Sequence, residues 1–409
     1  MTDARNRMHV SQVLCDLAET LDVPPSKYEE AMQHYKAVGN WLGGEDSELA
    51  PFNPQVYAQG SFALGTAVRP LGEDEYDVDA VCLLDLTTEQ VTQAQLKELV
   101  GGRLKHPRSR YRKKINPKEG GRRCWTIRYA DESQFHLDVL PCILDVHGWL
   151  ISLGVPPYIA EHAIRLTDRK TPEYPTGWPE NSADPTRSNP KGYIMWFKDR
   201  MRVRLEEAKA ALAMEKRASI EEIEDYQVRT PLQLAIQILK RHRDVRYNGD
   251  DDKPISVIIT TLAAKAYDNE SNLYDAILKI VLGMREHIEQ RAGVWWIVNP
   301  VNPLENFADK WQECPRKAKL FFEWLDAIEA EYRNIITDEG FRKVGTYLAE
   351  SYGQRDGKAA MSKYASRQVK QCDSIPGAPV ILVPKRDDGQ GELSYGRVRL
   401  SEPSKPWGE

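Results

Sequence analysis

Three aspartates set into apolar strands constrain this chain more than any other feature. Asp77 and Asp79 lie in EYDVDAVCLL (Glu75 to Leu84), and Asp138 lies in FHLDVLPCIL (Phe135 to Leu144). Side chains on a strand alternate faces, so Asp77 and Asp79 project together while Val78 and Ala80 face the other way. Asp138 stands between Leu137 and Val139, where a lone buried carboxylate would be costly. If the two strands are neighbours, three like charges converge at one edge. Bound divalent cations would remove that repulsion. Magnesium takes a few carboxylates plus substrate phosphates, and two such ions serve phosphoryl or nucleotidyl transfer.

A small-residue turn precedes the carboxylates in QGSFALGT (Gln59 to Thr66). Gln55 to Ala58 reads as a short strand stopping at Gly60. Glycine lets the backbone approach a phosphate closely, and Ser61 offers a hydroxyl and an amide, the more so if it opens a helix. Gly65-Thr66 completes the turn. A Gly-Ser pair alone is usually just a turn, and an Asp-x-Asp alone is usually a solvated loop. It is the ordered combination that points to metal-dependent transfer from a nucleoside triphosphate.

With these motifs the chain resembles the polymerase-β-type nucleotidyltransferases, and more narrowly the bacterial CD-NTases (cGAS/DncV-like nucleotidyltransferases). The narrower likeness rests on Gly60-Ser61-Phe62 with Gly65-Thr66, on FHLDVLP, and on three segments expected in a helical half: PLQLAIQILKRHRD (Pro231 to Asp244), KPISVIITTLAAKAY (Lys253 to Tyr267) and NPVNPLENFADKW (Asn299 to Trp311). It covers roughly residues 10 to 350. The sub-branch is most similar to the trinucleotide-producing clade D. The resemblance implies a cyclic di- or trinucleotide second messenger, adenine-containing, made from ATP and in some relatives GTP in bacterial anti-phage signalling. It assigns Asp77, Asp79 and Asp138 to catalysis and to two Mg²⁺ ions, with Mn²⁺ as a substitute. Gly60 and Ser61 would bind the donor triphosphate, as would Lys240 and Ser256. Some relatives stack a base on an aromatic residue three positions after the turn serine; here that position is Leu64. The alternative is a template-independent transferase acting on RNA or a protein.

The expected fold is α/β: a two-lobed polymerase-β-like nucleotidyltransferase sheet with a long N-terminal helix, plus a helical C-terminal lobe resembling oligoadenylate synthetase. Residues 1–190 would form the catalytic lobe, 191–370 the helical lobe, and 371–409 an extension and tail. The apolar period of Val10, Val13, Leu14, Leu17 and Leu21 supports one helix over His9 to Leu42. Residues 168–190 read as a loop rich in Pro, Thr, Asn and Asp. Thr230-Pro231 reads as an N-cap with proline at the first helical position. On that helix Leu232, Ala235, Ile236 and Leu239 form an apolar stripe. Gln233, Gln237, Lys240 and Asp244 form a polar one, with Lys240 free to reach phosphate or simply solvated.

Length and a 41% hydrophobic composition allow a substantial core, and a net charge of −5 argues against a globally basic nucleic-acid binder. Nucleic acid stays open as a partner because residues 103–123 carry ten Lys/Arg against one Glu. That segment could equally be a solvated loop, or contact substrate phosphates or a protein. His136 is either a neighbour of the metals or faces away. No run is long enough to span a membrane, and Met1-Thr2-Asp3-Ala4 does not begin a signal peptide. Six scattered cysteines without C-x-x-C suit buried thiols in a reducing cytoplasm. The tail Leu400 to Glu409, with Trp407, either docks on its own chain or is held by a regulatory protein.

Overall fold

A computed structural model of the chain describes residues 2–409 apart from 73–74, 116–120, 130–134, 181–183, 338–339, 341–342, 374–379, 385–394 and 400–409. By contact the chain divides into a larger unit, residues 21–334, and a smaller one joining residues 1–20 to 335–409.

The larger unit is built on a mixed sheet. Its strands are β1 (Gln55–Ala58), β2 (Tyr76–Leu84), β3 (Trp125–Tyr129), β4 (Phe135–Leu144), β5 (Ile164–Leu166) and β6 (Arg187–Ser188). They run in the order β1-β2-β4-β5-β6, with β3 pairing β4 off this path. Strands β2 and β4 are parallel neighbours, and the others pair antiparallel. The expected loop over 168–190 therefore contributes a short last strand.

Alternation sorts the sheet into two faces. Val78, Ala80, Cys82 and Leu84 of β2 join Leu137 and Val139 of β4 in the main core. Helices α1 (Thr2–Leu21) and α2 (Pro25–Leu42) precede β1, α3 (Gly60–Leu64) follows it, and α4 (Gln93–Lys105) lies between β2 and β3. Tyr35, Val38 and Leu42 of α2 and Leu96, Val100 and Leu104 of α4 close that core. On the opposite face Val81, Leu83 and Cys142 pack with Ile164 and Leu166. That same face carries Asp77, Asp79 and Asp138 nearer the strand starts.

The stretch expected as one helix over His9 to Leu42 is two. Asp22-Val23-Pro24 separates α1 from α2. Pro24 and Pro25 lack the N–H that would continue the ladder, and a residue before proline is forced out of the helical region. Pro25 instead opens α2 at a position where no donor is needed.

Beyond the sheet the larger unit turns helical. Short helices α5 (Gly148–Ser152) and α6 (Pro157–Ala160) precede α7 (Pro190–Arg200), α8 (Arg202–Lys216), α9 (Pro231–Arg246), α10 (Ser256–Ala266) and α11 (Leu273–Gly283). The segment Asn299 to Trp311, expected in the helical half, does not start as a helix. It follows a hairpin of β7 (Glu289–Arg291) and β8 (Val294–Trp296) and forms a second one, β9 (Val298–Asn299) with β10 (Asn302–Asn306). Only then do α12 (Asp309–Glu313) and α13 (Pro315–Ile335) begin. Pro300 and Pro303 each remove a helical donor and fit edge and turn positions.

In the smaller unit the buried Asp16 of α1 pairs with Arg367, and Tyr364 meets His9 at 2.6 Å. Both partners lie on the helix Gln354–Asp373. The C-terminal extension carries a hairpin of β11 (Val380–Pro384) and β12 (Tyr395–Arg399). The tail Leu400 to Glu409 lies outside the described residues.

Candidate active site

The parallel pairing of β2 with β4 sets Asp79 directly beside Asp138 and Asp77 beside His136. Oxygens of Asp77, Asp79 and Asp138 all come within 4.8 Å of one another, so the three could hold a metal ion. The spacing read from sequence thus becomes one cluster because the two strands are neighbours.

Its electrostatics follow from crowding. Burial, followed by the charges of Asp77 and Asp138, pushes the Asp79 carboxyl up to about 7. Burial and then Asp138 raise Asp77 as well. Three hard oxygen donors in mutual repulsion are a fitting set for a divalent cation. His136 shares the face of the carboxylates and pairs with Glu75.

The glycine-serine turn touches this cluster. Ser61 opens with Gly60 the five-residue helix α3. Gly60 has φ +66°, and a Cβ there would overlap the Asp79 carboxylate. Two independent constraints therefore require glycine: a left-handed backbone and the absence of a side chain. The strand behind is tied down at both ends of this contact. The Gln59 amide donates to the Asp79 carbonyl at 3.0 Å, and the Tyr35 hydroxyl donates to the same oxygen at 3.1 Å. Gly65, with φ +64°, terminates α3 as the turn required.

Helix α9 begins as its sequence signals. Thr230 caps it reciprocally with Gln233, and Pro231 follows. Its polar stripe is not solvated, however, and neither is Lys240. Gln233, Gln237 and Lys240 are all buried. They meet the main chain just after the turn: Gln233 Nε2 donates to Leu64 O at 2.9 Å, and Gln237 Nε2 donates to Ala67 O at 2.9 Å. Lys240 Nζ donates to Thr66 O at 3.1 Å and Thr66 Oγ1 at 3.2 Å. Burial, helped by Arg243, lowers the Lys240 ammonium to about 7. The sequence shows the stripe but not its partner, which lies some 170 residues away.

Ser256 is the first residue of α10 and is exposed. It accepts from Arg243 Nη1 at 3.3 Å. Gly60, Ser61, Asp77, Asp79, Lys240 and Ser256 all line one cavity of about 490 Å³. Leu64 lines it too and is nearly buried, so an aliphatic side chain stands where some relatives have an aromatic one.

Sequence reasoning missed Thr126. It faces Asp138 across the β3–β4 pair, and its hydroxyl donates to Asp138 Oδ1 at 2.5 Å. A threonine at the second position of a strand before FHLDVLP was the available signal. The basic segment 103–123 is structural at its two ends, while Arg108, Arg110, Arg112 and Lys113 between them are exposed. Arg103 is buried against Trp41 and Asp46, while Arg122 and Arg123 grip the buried Asp168 at 2.5 and 2.9 Å. The five cysteines described are free, and Cys82 and Cys142 are buried. No helix of the described residues is long and apolar enough to cross a membrane.

Comparison with known proteins bears on this geometry. Residues 54–141, which contain the turn and all three aspartates, match the model of the nucleotidyltransferase domain of Cyclic GMP-AMP synthase DncV-like proteins. The chain is 28% identical over 352 residues to a c-di-GMP synthase of Roseivirga ehrenbergii, covering 85% of each. It is 23% identical over 410 residues to the cyclic dinucleotide synthase CdnG of Bradyrhizobium diazoefficiens, covering 90% of this chain and 89% of that one. The solved structure of that CdnG, a CD-NTase in complex with GTP, superposes with a TM-score of 0.62 at 20% identity, over 87% of this chain and 99% of the other. Both relatives are dinucleotide synthases by name, which gives no support to a trinucleotide-producing sub-branch. The carboxylate cluster and the glycine-serine turn thus fall within the matched nucleotidyltransferase domain, and the chain has the fold of the CD-NTase CdnG and is similar along most of its length to two cyclic dinucleotide synthases.

Proposed function

We propose that this enzyme condenses nucleoside triphosphates into a cyclic dinucleotide, with Asp77, Asp79 and Asp138 as its catalytic carboxylates. The observation that carries the reading is the convergence of these three side chains beside the Gly60-Ser61 turn, with Asp77 and Asp79 in the wall of a nucleotide-sized cavity. The names of both relatives favour a dinucleotide over a trinucleotide, and that of the Roseivirga ehrenbergii relative favours a guanine-containing over an adenine-only product.

In this reading a ribose hydroxyl attacks the α-phosphorus of a bound triphosphate. The new P–O bond forms as the bond to the β-phosphate oxygen breaks, and pyrophosphate leaves. Asp77, Asp79 and Asp138 would hold Mg²⁺, or Mn²⁺ in its place, which supplies charge for ionising the attacking hydroxyl and for the departing pyrophosphate. Asp138 receives the hydroxyl proton, its other oxygen being engaged by Thr126. The Ser61 hydroxyl and the amides of the turn cradle the triphosphate, and Gly60 lets the backbone approach. Lys240 and Ser256 hold the same phosphates from α9 and α10. A triphosphate would restore full charge to the Lys240 ammonium, which burial alone disfavours. The substrates named by this chemistry are abundant in the cytoplasm, which is where we place the reaction. A regulator on the tail is consistent with the family and needs the residues beyond Arg399.

The experiment is magnesium-dependent pyrophosphate release from NTPs alone, in the wild type and in Asp77→Asn with Asp79→Asn. Release by the wild type and none by the variant is expected. Turnover that requires an added RNA or protein would favour the alternative transferase instead.

A further inference from the structure

Glu305 has no part in the chemistry above, yet it sits in the wall of the nucleotide cavity. It lies on β10, and with Phe307 it also borders an adjoining cavity of about 630 Å³. Its Oε2 accepts from Asn299 Nδ2 at 2.7 Å. Asn299 is itself fixed, because its Oδ1 accepts from the Val301 amide at 3.0 Å. Asn299 is buried at the turn between β9 and β10, so the carboxylate is pinned from a rigid base. Among the described residues Glu305 forms no ion pair, and its Oε1 receives no hydrogen bond and is not sealed from the cavity. Burial also raises its pKa.

An anionic group in a cavity that receives a polyanion must face a part of the ligand that donates hydrogen bonds. The phosphates and most base edges do not qualify; the ribose hydroxyls and one base edge do, and only a base edge would make Glu305 selective among nucleotides. Adenine sets an N6 donor beside an N1 lone pair, and cytosine sets an N4 donor beside an N3 lone pair. Uracil places its one N–H between two carbonyls. Guanine alone presents two adjacent donors, N1–H and N2–H, which suit a carboxylate that can only accept. Phe307, half-buried on the same wall, offers a flat apolar surface for the ring.

We propose that Glu305, pinned by Asn299, reads the N1–H and N2–H edge of guanine, so that the nucleotide held in this cavity is guanosine triphosphate. This rests on the nucleotidyltransferase reading above and adds the base to it.

The test is binding, which needs no turnover. Full-length protein with Mg²⁺ is titrated calorimetrically with the α,β-methylene analogues of GTP, ATP and ITP, the last lacking N2. The wild type should prefer the guanine analogue over the adenine one by roughly 10- to 100-fold, the range of one or two charge-assisted bonds. Inosine should fall about 10-fold below guanine. Glu305→Gln has the same size, and should bring the guanine-to-adenine ratio to within about threefold, chiefly through weaker guanine binding. An unchanged ratio in Glu305→Gln, or equal wild-type affinity for the guanine and inosine analogues, overturns this proposal alone. Binding of none of the three analogues by the wild type overturns it together with the reading beneath it.

Discussion

Replacing Asp79 by asparagine should stabilise the metal-free enzyme. The substitution keeps the shape of a side chain that packs against Gly60, and both hydrogen bonds at residue 79 use its backbone carbonyl. What it removes is charge. The Asp79 carboxyl is raised from 3.8 to about 7 by burial and by Asp77 and Asp138. The folded state therefore holds a proton that the unfolded chain has released, and stability falls as pH rises from 3.8 to about 7. At about 1.36 kcal/mol per pH unit the full penalty above that range is on the order of 4 kcal/mol. Asp79 retains some solvent contact, and screening reduces the expected effect to about 2 kcal/mol. That corresponds to roughly 3 °C in Tm for a unit of this size. Thermal melts in EDTA near pH 8 should place Asp79→Asn above the wild type, with the gap narrowing near pH 5. Adding Mg²⁺ with an NTP should raise the wild type and reverse the order. A variant that melts at or below the wild type in EDTA near pH 8 would refute the crowded-carboxylate account.

Three further outcomes follow from the same geometry. Ser61→Ala and Lys240→Ala should each weaken NTP binding by roughly 10- to 100-fold in titrations, from the loss of charge-assisted bonds worth about 1.5–3 kcal/mol. Of the two, Lys240→Ala should be the more salt-sensitive, because it alone removes a cation. Gly60→Ala should abolish turnover and lower the unfolding free energy by about 1–2 kcal/mol in denaturant titration, since alanine must adopt a left-handed backbone against Asp79. Thr126→Val should leave the fold intact but raise the Mg²⁺ concentration needed for half-maximal pyrophosphate release, because Asp138 loses the bond that orients it; Thr126→Ser should restore it.

Much of the site was legible because its signals are local. Period-two spacing fixed the common face of Asp77 and Asp79, and an aspartate between Leu137 and Val139 demanded partners. Thr230, Pro231 and Gln233 announce the start of α9 for equally local reasons. What stayed hidden depends on distant main chain. The stripe Gln233, Gln237 and Lys240 looks solvated in sequence because its acceptors are carbonyls of Leu64, Thr66 and Ala67. Its burial is visible only once α9 packs beside the turn. Thr126 is recognisable only after β3 is registered against β4. Asn299 to Trp311, expected in the helical half, starts with a hairpin because Pro300 and Pro303 each remove a helical donor, and that hairpin is what puts Glu305 in the cavity wall. The single long N-terminal helix failed at Pro24-Pro25 for the same reason.

Mass spectrometry of the products formed from all four NTPs tests the central claim most directly. The purified wild type is incubated with Mg²⁺ or Mn²⁺ and no primer, beside Asp77→Asn with Asp79→Asn. The account predicts a small cyclic product with no free phosphate ends from the wild type, and none from the variant. A wild type that yields only extended polynucleotide on an added RNA, or a double variant that makes the cyclic product at the wild-type rate, would contradict it.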